Sequence, residues 1–129
     1  MFNVVTKLID NIPFTVVSPN RCSDASKVIV ITRKDLAVRA VAAIMSIIRA
    51  CEYYVYYRPV NSDVLSVMKQ ISNVVVAGVH CSVVIDLLKH GFKVYVFRVS
   101  EDGDMVELRL VERVDSKVVW SRLQPEKSF

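Results

Sequence analysis

The sequence predicts an α/β fold, specifically a three-layer Rossmann-like sandwich with a mainly parallel sheet and an antiparallel C-terminal hairpin at one edge. The chain is 53% hydrophobic and contains 26 valines, a density of β-branched residues that favours strands. Strand-like and helix-like patterns alternate three times before a final hairpin, which is the order of a parallel sheet with crossover helices. At 129 residues the chain fits one domain, assigned to 1–124, with 125–129 as a tail.

Residues 1–26 are predicted to form an N-terminal helix followed by a short strand. Apolar side chains recur at helical spacing over the first twelve residues, and Pro13 would end that helix because it lacks a backbone N–H. Phe14 to Val17 then has the composition of a strand, and Pro19 to Asp24 has the composition of a loop.

The centre of the chain predicts three strand–helix units. The predicted strands cover 27–31, 53–58 and 73–79. The predicted helices cover 35–51 and 80–90, and a short helix between them has its apolar face at Val64, Leu65, Met68 and Ile71. Thr32 or Asp35 is expected to cap the first helix, and Asn61 or Ser62 the second, because such side chains accept hydrogen bonds from free backbone N–H groups. Gly91 suits the left-handed residue that commonly follows a helix.

The last third of the chain predicts a hairpin and a short helix. Strands over 93–99 and 105–113 would be joined by a tight turn at Glu101-Asp102-Gly103. The second strand alternates apolar and charged residues, as a half-exposed edge strand does. Asp115 or Ser116 would cap a final helix that ends near Leu123.

The helix predicted over 35–51 has too little polar surface for a helix that covers only one face of a sheet. Its polar residues trace one narrow stripe, and the rest of the helix is apolar. We therefore expect the N-terminal helix or a second subunit to cover it. The sequence thus predicts a homo-oligomer, with a homodimer as the simplest form.

Charge and cysteine content narrow the setting of the protein. The net charge of +4 is compatible with an acidic partner such as nucleic acid, but no block of like charge occurs. Three cysteines at wide spacing predict free thiols in a reducing cytoplasm, and no metal site is expected. No apolar run is long enough for a membrane span, and the N-terminus does not resemble a signal peptide. Few amide side chains and many valines hint at a thermophilic source.

The candidate ligand site lies where the predicted parallel strands end. In open α/β sheets, ligands bind at the carboxyl ends of the strands, where helix N-termini favour anions. An anionic or nucleotide ligand is therefore one predicted partner. The candidate binding residues are Thr32, Arg33, Lys34, Arg58, Asn61, Ser62, Gly78 and Ser82.

Cys81, with its neighbour His80, is the one candidate for covalent chemistry. A cysteine at the start of a helix and beside a histidine can be a nucleophile, because both lower the pKa of its thiol. Val79-His80-Cys81-Ser82 also resembles the opening of the cysteine-phosphatase signature. That family has an arginine six positions after its cysteine, where this chain has Leu87, so the resemblance ends after four residues.

The chain carries no motif for a cofactor. It has three glycines in total, too few for the glycine-rich loops that hold dinucleotides or triphosphates, and it contains no HExxH. No carboxylate pair stands out for acid–base catalysis. We therefore expect no cofactor, and more readily a binding module than an enzyme.

The stretch Val28 to Arg58 resembles the first β–α–β unit of Alba-type archaeal chromatin proteins. The shared features are a strand, the basic pair Arg33-Lys34, a long alanine-rich helix and a second strand. The resemblance implies that Arg33 and Lys34 contact nucleic acid. Apart from the resemblance, the tyrosines at 53, 54, 56 and 57 would stack on bases if one sheet face were open, but helices on both faces of a central strand favour their packing in the interior or at the rim. Residues 73–91 form an extra strand–helix unit that the Alba fold lacks.

Three functional hypotheses follow from the sequence. The first is a non-catalytic binding or regulatory module that self-associates and binds an anionic or nucleotide ligand at the strand ends. The second is a basic nucleic-acid-binding protein that uses Arg33, Lys34, Arg58 and Tyr57. The third is a small enzyme with Cys81 as nucleophile.

Overall fold

The computed structural model describes residues 2–19, 22, 25–78, 81–99, 106–114 and 117–122. These residues form an eight-stranded sheet in the order β1-β2-β4-β3-β5-β6-β7-β8, with three α-helices. The strands are β1 (Phe2–Ile9), β2 (Ile12–Pro19), β3 (Lys27–Ile31), β4 (Glu52–Tyr56), β5 (Val74–Ala77), β6 (Lys93–Val99), β7 (Val106–Val114) and β8 (Lys117–Arg122). The helices are α1 (Ala37–Ile47), α2 (Ser62–Ile71) and α3 (Cys81–Lys89), and a 3-10 helix (Lys34–Leu36) precedes α1.

Four parallel strands form the centre of the sheet. Strand β3 pairs in parallel with β4 on one side and with β5 on the other, and β5 pairs in parallel with β6. The chain leaves β3 through α1 to reach β4, and then crosses β3 through α2 to reach β5. Right-handed crossovers in opposite directions place their helices on opposite faces of a sheet. Helix α1 accordingly packs on one face, and α2 and α3 pack on the other.

The predicted three-layer Rossmann-like sandwich with a mainly parallel sheet is wrong. Four of the seven strand pairs are antiparallel, and they flank the parallel centre on both sides and not at one edge only. Among the described residues, α1 alone packs on one face of the sheet, whereas α2 and α3 pack on the other. The two faces are therefore unequally covered. The α/β class is confirmed, and the finer architecture is a mixed sheet.

The N-terminal segment is a β-hairpin, so the predicted N-terminal helix is wrong. Strands β1 and β2 pair antiparallel from Phe2↔Pro19 to Ile9↔Ile12, and Asp10 and Asn11 form the turn. Both turn residues have positive φ, 49° and 65°, as in a type I′ turn, whose twist matches that of the strands. Asp and Asn tolerate this conformation better than other residues with a side chain. The helical spacing failed as a signal because Val4 and Leu8 are exposed on β1.

Pro13 lies within β2 and does not end an element. It pairs with Leu8 of β1, and the pairing of β2 with β4 begins only at Thr15. A proline cannot donate to a ladder, and it is tolerated where no neighbouring strand needs its N–H. The position of Pro13 near the turn therefore agrees with its chemistry.

The predicted C-terminal helix is also wrong, because β8 continues the sheet. Strand β8 pairs antiparallel with β7, from Val114↔Lys117 to Arg109↔Arg122. The run Val118-Val119-Trp120 has high strand propensity, which outweighs the capping signal of the preceding residues. The predicted turn at 101–103, the caps at 115–116 and the tail at 125–129 lie outside the described residues.

The central helices lie close to their predicted positions, but α1 begins differently. Neither Thr32 nor Asp35 caps α1, which follows directly on the 3-10 helix with Leu36 at its N-cap. Asn61 caps α2 as predicted, because its side-chain oxygen accepts from the Val64 backbone N–H at 3.0 Å. Gly91 follows α3 with φ of 83°, the predicted left-handed conformation.

A covalent bond and three hydrogen bonds join the N-terminal ends of β3 and β4. Cys22 and Cys51 form a disulfide, so the prediction that these two cysteines are free thiols is wrong. The Cys51 N–H donates to the carbonyl and to the hydroxyl of Ser26, at 2.9 and 3.1 Å. The Glu52 N–H donates to the same carbonyl at 3.2 Å.

None of the helices in the described part of the chain is long and apolar enough to cross a membrane.

Removal of this disulfide is expected to lower the free energy of unfolding by about 3–4 kcal/mol, because it closes a loop of 29 residues in the unfolded chain. Urea unfolding of the protein with and without reductant measures the difference. The double variant Cys22→Ser/Cys51→Ser should lose the same stability and show no response to reductant. If reductant lowered the stability of this double variant as much as that of the wild type, the effect would come from a group other than this disulfide.

Candidate functional site

Three of the predicted ligand-binding segments do meet at one edge of the sheet. Because β3 runs parallel to both β4 and β5, the residues that follow these strands lie side by side. The Thr32 N–H donates to the Tyr56 carbonyl at 3.1 Å, and the Gly78 N–H donates to the Ile31 carbonyl at 2.8 Å. The backbone at Thr32 is thereby held between the ends of β4 and β5.

Thr32 is the buried polar residue of this edge. It is 3% exposed, and within the described part of the chain its hydroxyl has no hydrogen-bond partner. A buried hydroxyl without a partner carries the free-energy cost of its lost hydration. Its prediction as a binding residue stays open, since the groups that follow Gly78 lie outside the described residues.

Arg33 is engaged by a neighbour and does not face an empty site. Its Nε and Nη2 bond to the two carboxylate oxygens of Asp35, at 3.1 and 2.5 Å. Hydrogen bonding from Arg33 lowers the pKa of Asp35, and the same contact raises the pKa of Arg33. Both side chains are exposed, so this pair neutralises a surface charge more than it stabilises the fold. Lys34 is exposed beside it.

Arg58 and Asn61 line a separate cleft of about 500 Å³ between the β1–β2 turn and α2. Asp10 and Asp63 line the same cleft, so its charge is mixed. The side-chain oxygen of Asn61 is already used as the α2 cap. Among the described residues that line this cleft, Thr32, Arg33 and Lys34 are absent. Ser62 is exposed at the start of α2, and the predicted anion site stays a prediction.

The Cys81 region is only partly described. Cys81 is the first residue of α3, as the prediction requires, and Ser82 is exposed on that helix. His80 and the side chain of Cys81 lie outside the described residues, so their proposed chemistry stays a prediction. In the described part of the chain, no three His, Cys, Asp or Glu side chains cluster to suit a metal ion.

Gly78 has a packing role at the end of β5. A Cβ atom on this residue would lie 2.7 and 2.9 Å from Cε2 and Cε1 of Phe97, which is buried in β6. The absence of a side chain therefore lets the phenyl ring lie directly over the backbone. This close approach explains the glycine without any ligand.

The tyrosines of β4 belong to the interior. Tyr53, Tyr54 and Tyr56 are buried, and only Tyr57 is half-buried. The Tyr53 hydroxyl donates to the Ile48 carbonyl at 2.6 Å and accepts from the Ala50 N–H at 2.9 Å. Tyr56 donates to the Pro59 carbonyl at 2.8 Å. Three of the four rings are thus unavailable for base stacking.

The described residues form an apolar area on the α1 face, which we call the α1–β1 surface. It comprises Val4 and Leu8 of β1 with Val38, Ala42 and Met45 of α1. Val38 is 84% exposed, Leu8 69% and Val4 61%, although all three are aliphatic.

A groove of about 200 Å³ runs between the two parts of this surface. Its lining consists of Val4, Thr15, Val17, Ala37, Val38, Val41, Ala42, Met45, Val55 and Tyr57. Thr15 and Val17 pair with Thr6 and Val4, so the even-numbered residues of β1 face this side. The apolar composition of α1 predicted such a surface. The part contributed by β1 was not predicted, because the N-terminal hairpin was not predicted. The turn residues Asp10 and Asn11 were the sequence signal for that hairpin.

Comparison with protein-family profiles, curated proteins and solved structures finds no match to this chain. The function must therefore be argued from the residues described above.

The substitution Gly78→Ala is expected to destabilise the fold by about 1–3 kcal/mol, because the new methyl group overlaps the Phe97 ring. Chemical unfolding of Gly78→Ala, Phe97→Leu and the double variant measures this coupling. The penalty for Gly78→Ala should shrink in the Phe97→Leu background. An undiminished penalty would show that the ring is not the cause.

The stability of the protein is expected to fall as the pH rises above about 10, the ordinary tyrosine pKa. Burial raises the pKa of Tyr53, Tyr54 and Tyr56, and the carboxylate of Glu52 raises that of Tyr54 further. A tyrosine whose pKa is raised in the folded state contributes stability that is complete below its pKa in the unfolded chain. That stability is lost as the pH rises through its pKa in the folded state. Urea unfolding between pH 8 and 11 measures the slope, which Tyr53→Phe should reduce.

The same slope for Tyr53→Phe and for the wild type would contradict this assignment. Tyr57→Phe serves as the matched control, because Tyr57 lies outside the set of buried rings.

Proposed function

We propose that this protein is a non-catalytic binding module that works as a homodimer and self-associates through the α1–β1 surface. The observation that carries the proposal is the exposure of Val4 and Val38, which line an apolar groove, together with Leu8, which is exposed on the same face of β1 as Val4. Contiguous apolar area of this kind marks interaction sites, whereas scattered apolar residues do not.

The distribution of exposed apolar residues favours this face over the others. The α2–α3 face has two helices over it, and its exposed large aliphatic residues are less exposed, with Val5 at 49% and Ile85 at 37%. The α1 face has one helix, and beyond it the β1–β2 hairpin extends without a cover among the described residues. A second copy of the chain would remove this apolar area from water and so provide the driving force for association.

The alternatives have less support from the described residues. Arg33 is neutralised by Asp35, and Arg58 shares its cleft with Asp10 and Asp63, which weakens both the anion and the nucleic-acid hypotheses. A Cys81 nucleophile keeps only the support of its position at the start of α3. A cytoplasmic location stays part of the proposal. The Cys22–Cys51 disulfide would then fit the intracellular proteins of hyperthermophiles, which commonly contain disulfides.

Sedimentation equilibrium between 1 and 100 µM tests the proposal. We expect a wild-type dimer and at least tenfold weaker association for Leu8→Lys, because twofold symmetry counts each substitution twice and a lysine on an exposed strand opposes pairing. A wild-type monomer over the whole range would overturn the proposal.

Ile85→Lys is the matched control, because it places the same charge at an exposed aliphatic position on the opposite face. It should keep the wild-type dimer. Equal weakening by Leu8→Lys and Ile85→Lys would show that added charge, and not the α1–β1 surface, governs association, and would also overturn the proposal.

A further inference from the structure

We infer that two copies of this chain join edge to edge through β1, in antiparallel register about a twofold axis at Thr6. This inference rests on the proposed self-association and names its geometry. Strand β1 is the outermost strand of the sheet, and no described strand lies beyond it. An exposed edge strand carries backbone N–H and C=O groups ready to pair with another strand.

The turn geometry shows which backbone groups face the open edge. In a two-residue turn the residues that flank it are joined by a hydrogen bond, so the carbonyl of Ile9 points towards β2. The backbone N–H and C=O groups of successive residues point to opposite sides of a strand, so those of Val5 and Lys7 also point towards β2. Val4, Thr6 and Leu8 therefore present their N–H and C=O groups to the open edge.

The same residues carry the exposed apolar side chains. Val4 and Leu8 lie on the α1 face and are more than half exposed. A strand that adds to this edge thus gains backbone hydrogen bonds and apolar contacts from the same positions. This coincidence favours a strand as the occupant over a helix or a small molecule.

The sequence of β1 is complementary to itself. With Thr6 opposite Thr6 of a second copy, Val4 lies opposite the Leu8 of that copy, and Leu8 opposite its Val4. Opposed aliphatic pairs and a Thr–Thr pair are favourable cross-strand neighbours. In an antiparallel pair, the residue numbers of every opposed pair add up to the same total. The nearest registers that keep the same residues facing the partner strand have totals that differ from this one by two.

Those neighbouring registers are poorer. One places Lys7 directly opposite Lys7, which repels, and the other pairs Leu8 with Phe2 but sets each Val4 opposite the polar Thr6. In the favoured register Lys7 lies opposite Val5. Its charge is balanced within its own chain, because Lys7 Nζ lies 3.6 Å from Oε2 of Glu52. A second copy therefore fits this edge without an unmatched charge.

The substitution Thr6→Pro tests the edge pairing directly. Proline removes the outward N–H that the second copy needs and leaves the bonds of Val5 and Lys7 to β2 in place. We expect Thr6→Pro to be a monomer in sedimentation equilibrium up to 100 µM, with a cooperative thermal unfolding transition that shows it is folded. Thr6→Val keeps the N–H and the shape of the side chain and should remain a dimer.

Cross-linking tests the register. In a Cys81→Ser background, Thr6→Cys should form an intermolecular disulfide under mild oxidation, because opposed residues of a hydrogen-bonded pair lie about 5.5 Å apart between Cα atoms. Asn3→Cys should not, because its two copies would lie about 20 Å apart along the strands. Cross-linking by Val5→Cys and not by Thr6→Cys would overturn the register.

The failures of the two proposals are distinguishable. A dimer that survives Thr6→Pro but is dissociated by Val38→Lys would place the contact on the groove, and would overturn edge pairing while retaining self-association. A wild-type monomer would overturn both. Edge pairing predicts dissociation by Thr6→Pro, whereas Val38→Lys should weaken the dimer less than Leu8→Lys does, because Val38 lies on α1 and takes no part in the backbone pairing.

Discussion

The arrangement of the whole sheet depends on the parallel pairing of β3 with both of its neighbours. Val28, Ile29, Val30 and Ile31 are all buried, so this strand needs a cover on each face. The chain supplies that cover by sending α1 to one face and α2 with α3 to the other. Among the described residues, two helices cover one face and one helix covers the other, and this uneven division leaves apolar surface on the α1 side. The α1–β1 surface is thus a consequence of topology as well as of composition.

The parallel centre was predictable from the sequence because its signals are strong and local. Continuous apolar runs predicted β3 and β5, the side chain of Asn61 predicted the start of α2, and Gly91 predicted the end of α3. In each case one physical requirement, such as a buried strand or a left-handed residue, permits few residue types. Local chemistry and tertiary structure agree at these positions.

The two ends of the chain were not predictable in the same way. The spacing of Val4, Val5, Leu8 and Ile9 fits a helix, but in β1 these residues divide between two faces of an edge strand and several of them are exposed. Periodicity presumes that apolar residues are buried within the chain itself, which does not hold for the exposed Val4, Val5 and Leu8. At the C-terminus a capping signal at 115–116 competed with the strand propensity of Val118 to Trp120.

The candidate site could be placed at the ends of β3, β4 and β5. The sequence could not show that Arg33 is paired with Asp35, or that Arg58 lies in a separate cleft, because both depend on side-chain direction.

The Cys22–Cys51 disulfide also changes how the hairpin reaches the rest of the sheet. The antiparallel pairing of β2 with β4 joins Val17 to Tyr53, which are 36 residues apart along the backbone (53 − 17). Through the disulfide the route is five residues from Val17 to Cys22 and two from Cys51 to Tyr53. Because the entropy of loop closure grows with loop length, a pairing that is distant in the reduced chain becomes nearly local in the oxidised one. Contact order governs folding speed, so the order in which the two halves of this sheet assemble should depend on when that bond forms.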